Sequence, residues 1–266
     1  MAFQNEVSRR AAGLHFTTRE EWRLACPHAR NSRGCIISIG IDRRGLEHLP
    51  SRQALRNRYP IIGDRKVILF LGRLSHKKGV DIVIRAFSQV ALKRDDIFLV
   101  LAGPDDGTRE RAAALISQCG VAERSLFTGM VVGEDKRVVL GGSDIFVLPS
   151  QSENFGISVV EAAASGLPVV ISDRVNIWRE FHDARAGVAI PPTVPDFARQ
   201  LNFLLDNPAA AAHMGRRGAE VARRFSWELL VPQYEHMYAT AARDQLLPEL
   251  PHVDVSSAAI DDSAYG

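Results

Sequence analysis

The sequence predicts an α/β fold: a doubly wound, Rossmann-like parallel sheet of about six strands, followed by extra C-terminal helices. Three observations carry that expectation. Short, nearly continuous apolar runs recur from residue 66 to about residue 190, as in strands covered on both faces. Segments with helical spacing separate them, which marks parallel strands joined by crossover helices. Two of the runs end in glycine-bearing loops that lead straight into helices, and in such sheets ligands bind beyond the carboxyl ends of the strands.

The elements follow in order. Thr17-Thr18-Arg19-Glu20 has a Thr-x-x-Glu capping-box pattern and opens a helix to about Ala25, with no strand foreseen before it. Residues 35–39 are a short β-branched run, and residues 43–64 are polar, Arg-rich and broken by Pro50, Pro60 and Gly63, which suits a linker. Strands are expected at 67–71, 97–102, 125–129, 145–148, 169–171 and 188–190, with helices at 80–92, 108–118, 134–141 and 155–164. In the first of these helices Val80, Val83, Ile84, Phe87 and Leu92 share the apolar spacing. For the last, Ser152 or Asn154 is the candidate N-cap, and Gly166 and Pro168 stop it. Three helices follow at 196–205, 209–224 and 227–242, and the tail from residue 244, with two prolines, several acids and a Ser/Ala stretch, is expected to be disordered.

Composition narrows the class. Of 266 residues, 46% are hydrophobic and 24% charged, the profile of a globular domain, and the formal net charge is +2. No apolar run approaches the roughly 20 residues needed to span a bilayer. The N-terminus lacks a signal-peptide core, and three cysteines without paired spacing indicate neither a disulfide framework nor a zinc site, so a reduced cytoplasm is expected. Residues 1–94 hold 19 Lys+Arg against 7 Asp+Glu. Such a basic half suits phosphates or peripheral contact with an anionic membrane face, and equally a solvated arginine-rich surface. The basic residues are not interleaved with aromatics, so no nucleic-acid partner is expected.

Chemistry concentrates in two loops. Gly72-Arg73-Leu74-Ser75-His76-Lys77-Lys78-Gly79 lets the backbone turn tightly at Gly72 and offers Arg73 as a fork and Lys78 as a point charge for phosphate oxygens. It lacks the P-loop spacing. Residues 149–156 lead into a helix N-terminus, whose unpartnered amides and positive dipole suit an anion. Glu153 and Glu161 bracket that end. Carboxylates repel phosphate but accept hydrogen bonds from sugar hydroxyls, so the arrangement suggests a sugar nucleotide; taken from this stretch alone, Glu153 is equally an ordinary helix-dipole partner and Glu161 a solvated helix residue. His76 reads as a solvated loop histidine, Asp105-Asp106 as a turn rather than a metal pair, and Asp144 as structural.

Together, Arg73 with Lys78, the run Gly141-Gly142-Ser143-Asp144-Ile145-Phe146-Val147-Leu148-Pro149-Ser150, the Glu-x7-Glu signature from Glu153 to Glu161, and Ala164-Ser165-Gly166-Leu167-Pro168 resemble the retaining, nucleotide-sugar-dependent glycosyltransferases of GT-B fold, family 4 or group 1. The resemblance runs from roughly Phe16 to Ala242 and implies the C-terminal, donor-binding half of that fold. It implies that Arg73 and Lys78 hold the donor diphosphate beside Gly72. Glu153 would hold hydroxyls of the transferred sugar with Asn154 and the amides of Phe155, Gly156 and Ile157 nearby. Glu161 would hold the ribose, and the backbone of Met130 and Val131 would lie beside the base. Catalysis would rest on Glu153, Arg73 and Lys78, without a metal or other cofactor.

The implied reaction transfers a sugar with retention to a glycan, lipid or small-molecule acceptor. Rival expectations are a non-catalytic sugar-nucleotide-binding subunit of a split enzyme, an epimerase or phosphorylase of the same architecture, and a damaged product. The sequence departs from the family at Ser38-Ile39-Gly40-Ile41-Asp42, where an Asn-Gly-Ile/Val-Asp sequence is usual. Residues 1–34 read as the end of an acceptor domain that is otherwise missing, 35–64 as interdomain strand and linker, 65–243 as the nucleotide-sugar domain and 244–266 as tail. A separate chain would then supply the acceptor domain. The apolar face of the last helix (Trp227, Leu230, Tyr234, Met237, Tyr238) would be partly exposed or covered by another chain.

Overall fold

The computed structural model describes residues 6, 8–26, 33–243 and 245–250. They divide into two compact units, one from Met1–Ser38 with Glu228–Gly266 and one from Ile39–Trp227, so the breaks fall at residues 38/39 and 227/228 rather than at 64/65 and 243/244.

The larger unit is built on six strands: β3 (Lys66–Leu71), β4 (Ile97–Ala102), β5 (Ser125–Gly129), β6 (Ile145–Leu148), β7 (Val169–Ser172) and β8 (Gly187–Ile190). All pair in parallel, in the order β5-β4-β3-β6-β7-β8. The six apolar runs seen in the sequence therefore form one sheet. Its central strands are dry, with Phe70, Phe98 and Phe146 all fully buried, while the edge strand β5 is half-exposed along its whole length. From β3 the chain steps outward to β4 and β5, then returns to β6 and steps the other way. Right-handed crossovers in two opposite directions put helices on both faces and leave a crevice between the carboxyl ends of β3 and β6.

The crossover helices are α3 (Val80–Ala91), α4 (Arg109–Gln118), α5 (Gly133–Gly142), α6 (Ile157–Ala164) and α7 (Trp178–His182), followed by α8 (Val194–Asp206) and α9 (Pro208–Ala222). Helix α3 buries Val80, Val83, Ile84 and Phe87 as its spacing predicts, and packs on α4 and α8. Leu92 does not follow: it is the C-cap, past the last turn, and is 84% exposed. Thr193 caps α8 by accepting from the Asp196 amide, with proline in the first turn. The five-residue α7 escapes a periodicity argument because it is too short to show a repeat.

The expected linker is corrected in part. Residues 52–58 form a helix, α2 (Arg52–Arg58), whose fully buried Leu55 lies over Gly142 at the end of α5. A single apolar residue among arginines gave no amphipathic signal. Asp144 is structural as expected: its carboxylate accepts from the Val67 amide at 2.7 Å and pairs with Arg52.

In the smaller unit, strands β1 (Leu14–Phe16) and β2 (Gly34–Ile36) pair in parallel, so a strand does precede helix α1 (Arg19–Ala25). The capping box sits one residue later than its first match: Thr18 accepts from the Glu21 amide, and Glu21 accepts from the Thr17 amide and hydroxyl. Helix α10 (Trp227–Ala242) belongs to this unit from Glu228 on. Its Leu230 and Met237 are buried with Ile37 and Leu247, while Tyr238 stays 65% exposed. The expected disorder from residue 244 does not hold at 245–250. There Leu247 is buried, its amide donates to Ala12, Pro248 accepts from Gly34, and Glu249 bridges to Arg33. Residues 251–266 lie outside the described residues.

Candidate functional site

Two loops leave the sheet on either side of the crevice. Residues 72–79 follow β3 and residues 149–156 follow β6, and they meet backbone to backbone. Gly79 is left-handed at φ 70° and caps α3, and a Cβ there would lie 2.2 Å from the Pro149 carbonyl oxygen. Only glycine serves both needs. The Gln151 amide donates to the Lys77 carbonyl at 2.7 Å, closing the junction.

This contact brings Lys78 against Glu153. The Lys78 ammonium donates to Glu153 Oε2, with 18% and 16% of the two side chains exposed. Burial, followed by the charge of Arg73, holds the Lys78 pKa below the ordinary lysine value. Arg73 is more open and pairs with Asp106 Oδ2 at 3.1 Å. Its loop is laced to the one after β4: the Leu74 amide donates to Pro104 and the Asp106 amide to Leu74. Asp105 is the turn residue foreseen, accepting from the amides of Thr108 and Arg109 at 2.9 Å each; those bonds keep its pKa below the usual carboxylate value. His76 is 69% exposed and lies 4.0 Å from Asp81.

The Glu153 loop is held from a third side, which sequence reasoning missed. The Glu153 amide donates to Arg174 and the Asn176 amide to Glu153, while the Asn176 side chain reaches Asn154 Oδ1 at 3.5 Å. Residues 173–176 follow β7, the next strand along. Phe155 turns into the core against Phe225 at 5.9 Å and is buried, so it anchors the loop with its ring and can offer a ligand only its backbone. The N-cap of α6 is neither Ser152 nor Asn154, as the sequence suggested, but Gly156, left-handed at φ 87° and ψ 58°. No side chain caps this helix end. The first-turn amides, with Ile157 among them, therefore keep their capacity for an external acceptor.

Glu161 lies further along α6 and is not a solvated helix residue. Its Oε1 accepts from Lys136 Nζ at 2.6 Å, and only 16% of its side chain is exposed. Lys136, on α5, was not singled out in the sequence. Met130 and Val131 follow β5 on the same edge of the sheet. Met130 is 70% exposed, and Val131 is buried. Gly72, at the end of β3, donates to Ala102. The structure thus brings Lys78 and the loop of Glu153 together beside Arg73, with Glu161 further along α6 paired to Lys136, and residues 130–131 past the end of β5, two strands from β3. Two lysines and an arginine face three carboxylates here. Such a site can bind a multiply charged anion at its cations and hydroxyl groups at its acids. Among the described residues, no helix is long and apolar enough to cross a membrane.

Comparison with known proteins gives the chain a family and structural neighbours. Residues 51–221 match the family model described as Glycosyl transferases group 1. Over 187 residues the chain is 33% identical to the phosphatidyl-myo-inositol mannosyltransferase of Mycobacterium leprae, covering 69% of this chain and 48% of that protein. In fold it is similar to the sucrose-phosphate synthase of Thermosynechococcus elongatus, with a TM-score of 0.81 and 22% identity over 92% of this chain and 62% of the other. It is also similar to the Anabaena protein HepE solved with UDP and glucose, with a TM-score of 0.80 and 20% identity over 90% of this chain and 66% of the other. The chain spans about half the length of the curated relatives it matches. With its match to the family model running through both site loops and the helices behind them, the chain belongs to the group 1 glycosyltransferases.

Proposed function

We propose that this chain binds a nucleoside diphosphate sugar in the crevice between β3 and β6, as the donor-binding part of a retaining glycosyltransferase. The sugar would pass to a hydroxyl of a glycan, lipid or small-molecule acceptor, held by an acceptor domain that includes residues beyond those of this unit. The observation that carries the reading is the meeting of Lys78 and Glu153 beside the uncapped N-terminus of α6. A cation, free amides and a hydroxyl acceptor within one crevice match the two ends of such a donor.

The roles follow from the chemistry of each group. Arg73 and Lys78 neutralise the diphosphate in the ground state and as it departs, which stabilises the developing charge in a place partly shielded from water. Glu153, beside Asn154 and the amides of Phe155, Gly156 and Ile157, orients the transferred sugar through its hydroxyls. Glu161 accepts from the ribose, and the backbone at Met130 and Val131 borders the base. The leaving diphosphate oxygen takes the proton of the attacking acceptor hydroxyl on the same face of the sugar, so the anomeric configuration is kept. Because two protein cations meet the diphosphate, the site is proposed to bind its donor without a metal.

The test is calorimetric titration of the purified chain with UDP, GDP and ADP in the presence of EDTA. Binding of one of them, tightened or altered by the attached sugar, supports the reading. Failure of all three to bind, with or without magnesium, would overturn it.

A further inference from the structure

Lys136 belongs to none of the motifs that mark the site, yet it makes one of its best-shielded contacts. Its Nζ lies 2.6 Å from Glu161 Oε1, with 31% and 16% of the two side chains exposed. An exposed ion pair at that distance is weak because water screens it and both side chains lose freedom; partial burial makes this one stronger and fixes its geometry. A carboxylate has acceptor sites on both oxygens. Lys136 occupies Oε1, and Oε2 makes no hydrogen bond among the described residues. The pair also joins two of the crossover helices, α5 and α6. Helix α5 starts just past Met130 and Val131, and α6 starts at the uncapped amides beside Glu153. The pair thus links the helix that follows the place proposed for the base to the helix that starts at the place proposed for the phosphates.

We infer that Lys136 is a positioning residue: it clamps Glu161 so that the free oxygen, Oε2, accepts from a ribose hydroxyl of the bound nucleotide. The inference rests on the donor-binding reading above. Both glutamates of the Glu-x7-Glu pair then have a lysine partner, Glu153 with Lys78 and Glu161 with Lys136. Lys78 is shared with the phosphates, whereas Lys136 stays with its glutamate.

The experiment compares the chain with Lys136→Met and Lys136→Arg by calorimetry. The ligands are whichever of UDP, GDP and ADP binds, and the 2′-deoxy and 3′-deoxy forms of that nucleotide. Lys136→Met is expected to weaken the ribonucleotide about tenfold, the scale of one charge-assisted hydrogen bond, and to leave the affinity for one deoxy form nearly unchanged. Discrimination between the two forms thus collapses, and Lys136→Arg restores it. Equal weakening of all forms would reduce Lys136 to a staple between α5 and α6, and an unchanged ribonucleotide affinity would remove any role; either result overturns the inference while leaving the donor reading intact. Glu161→Gln supplies a second measurement if Lys136→Met does not fold, since it must erase the same discrimination, and its retention would also overturn the inference. No nucleotide binding by the unaltered chain would take the donor reading down, and this inference with it.

Discussion

Lys78 and Glu153, 75 residues apart in sequence, form an ion pair with less than a fifth of either side chain exposed. Their meeting is set by backbone, through the close approach of Gly79 to Pro149 and the bond from Gln151 to Lys77. The site's main cation is therefore neutralised in the free protein, and a diphosphate must share it with the glutamate.

Glu153→Gln should separate the two halves of the donor. Removing the carboxylate frees Lys78, so a bare nucleoside diphosphate should bind as well as before or a few-fold tighter. The attached sugar loses a charged acceptor, worth about 1.5–3 kcal/mol, so its contribution to affinity should fall by about tenfold or more. Titration of one nucleoside diphosphate and its sugar conjugate against both proteins reads this directly. Equal loss for both ligands would place Glu153 on the phosphates instead.

Lys78→Ala should weaken every nucleoside diphosphate strongly, by about tenfold to a hundredfold, because a charge-assisted contact is lost and a partly buried Glu153 is left unpaired beside the anion. Unchanged affinity would count against the assigned role.

The depressed pKa of Lys78 gives a pH signature. A diphosphate favours the charged lysine, so affinity should be full below the depressed value. It should fall by up to about tenfold per pH unit above that value, at pH values where an ordinary lysine with a pKa of 10.5 is still protonated. For folding, the sign is opposite. Between the depressed value and 10.5 the unfolded chain binds more protons, so the penalty of burying this charge is relieved as pH rises through that window. Lys78→Arg stays charged throughout, and its affinity should not show the fall. Parallel titrations of the two proteins from neutral pH upward isolate the lysine from ionisation of the nucleotide.

Asp106→Asn should raise diphosphate affinity modestly. The carboxylate competes for Arg73, but both groups are well exposed and such pairs are worth about 0–1 kcal/mol, so a gain of at most about fivefold is expected. The gain should shrink as salt is added. A loss of affinity would mean that Asp106 holds Arg73 in its working position.

How far the sequence discloses such a site depends on the kind of signal. The four inner strands, β3, β4, β6 and β7, and with them the loops after β3 and β6, were legible because burial on both faces writes itself as nearly uninterrupted apolar runs, and the half-exposed edge strands β5 and β8 followed from the alternation with helices. Helix α2 was not, since one buried Leu55 among arginines makes no stripe. The Gly156 cap was hidden because its role comes from a left-handed backbone, while Ser152 and Asn154 offered better side chains. Lys136 and the pairing of Asp106 with Arg73 were hidden because the partners lie 25 and 33 residues away, on other elements, and isolated charged residues carry no periodicity.

Gly79→Ala tests whether the joint between the loops is what makes the site. At φ 70° and ψ 33° an alanine is strained, and its Cβ would lie 2.2 Å from the Pro149 oxygen, which cannot yield without moving the loop after β6. The left-handed backbone alone costs about 1–2 kcal/mol, and the collision adds to it. The nearby sheet has its own buried core, so the chain should still fold, with a lowered midpoint in thermal denaturation. The loops, however, should part, and with them Lys78 and Glu153. Nucleotide affinity should therefore fall by far more than the population of folded protein. Gly107→Ala is the control: it has a similar φ of 78° and nothing within 4 Å, so it bears the strain without the collision. It should lose comparable backbone stability and keep its affinity. Equal effects of the two substitutions on binding would mean that the close approach at Gly79 does not organise the site.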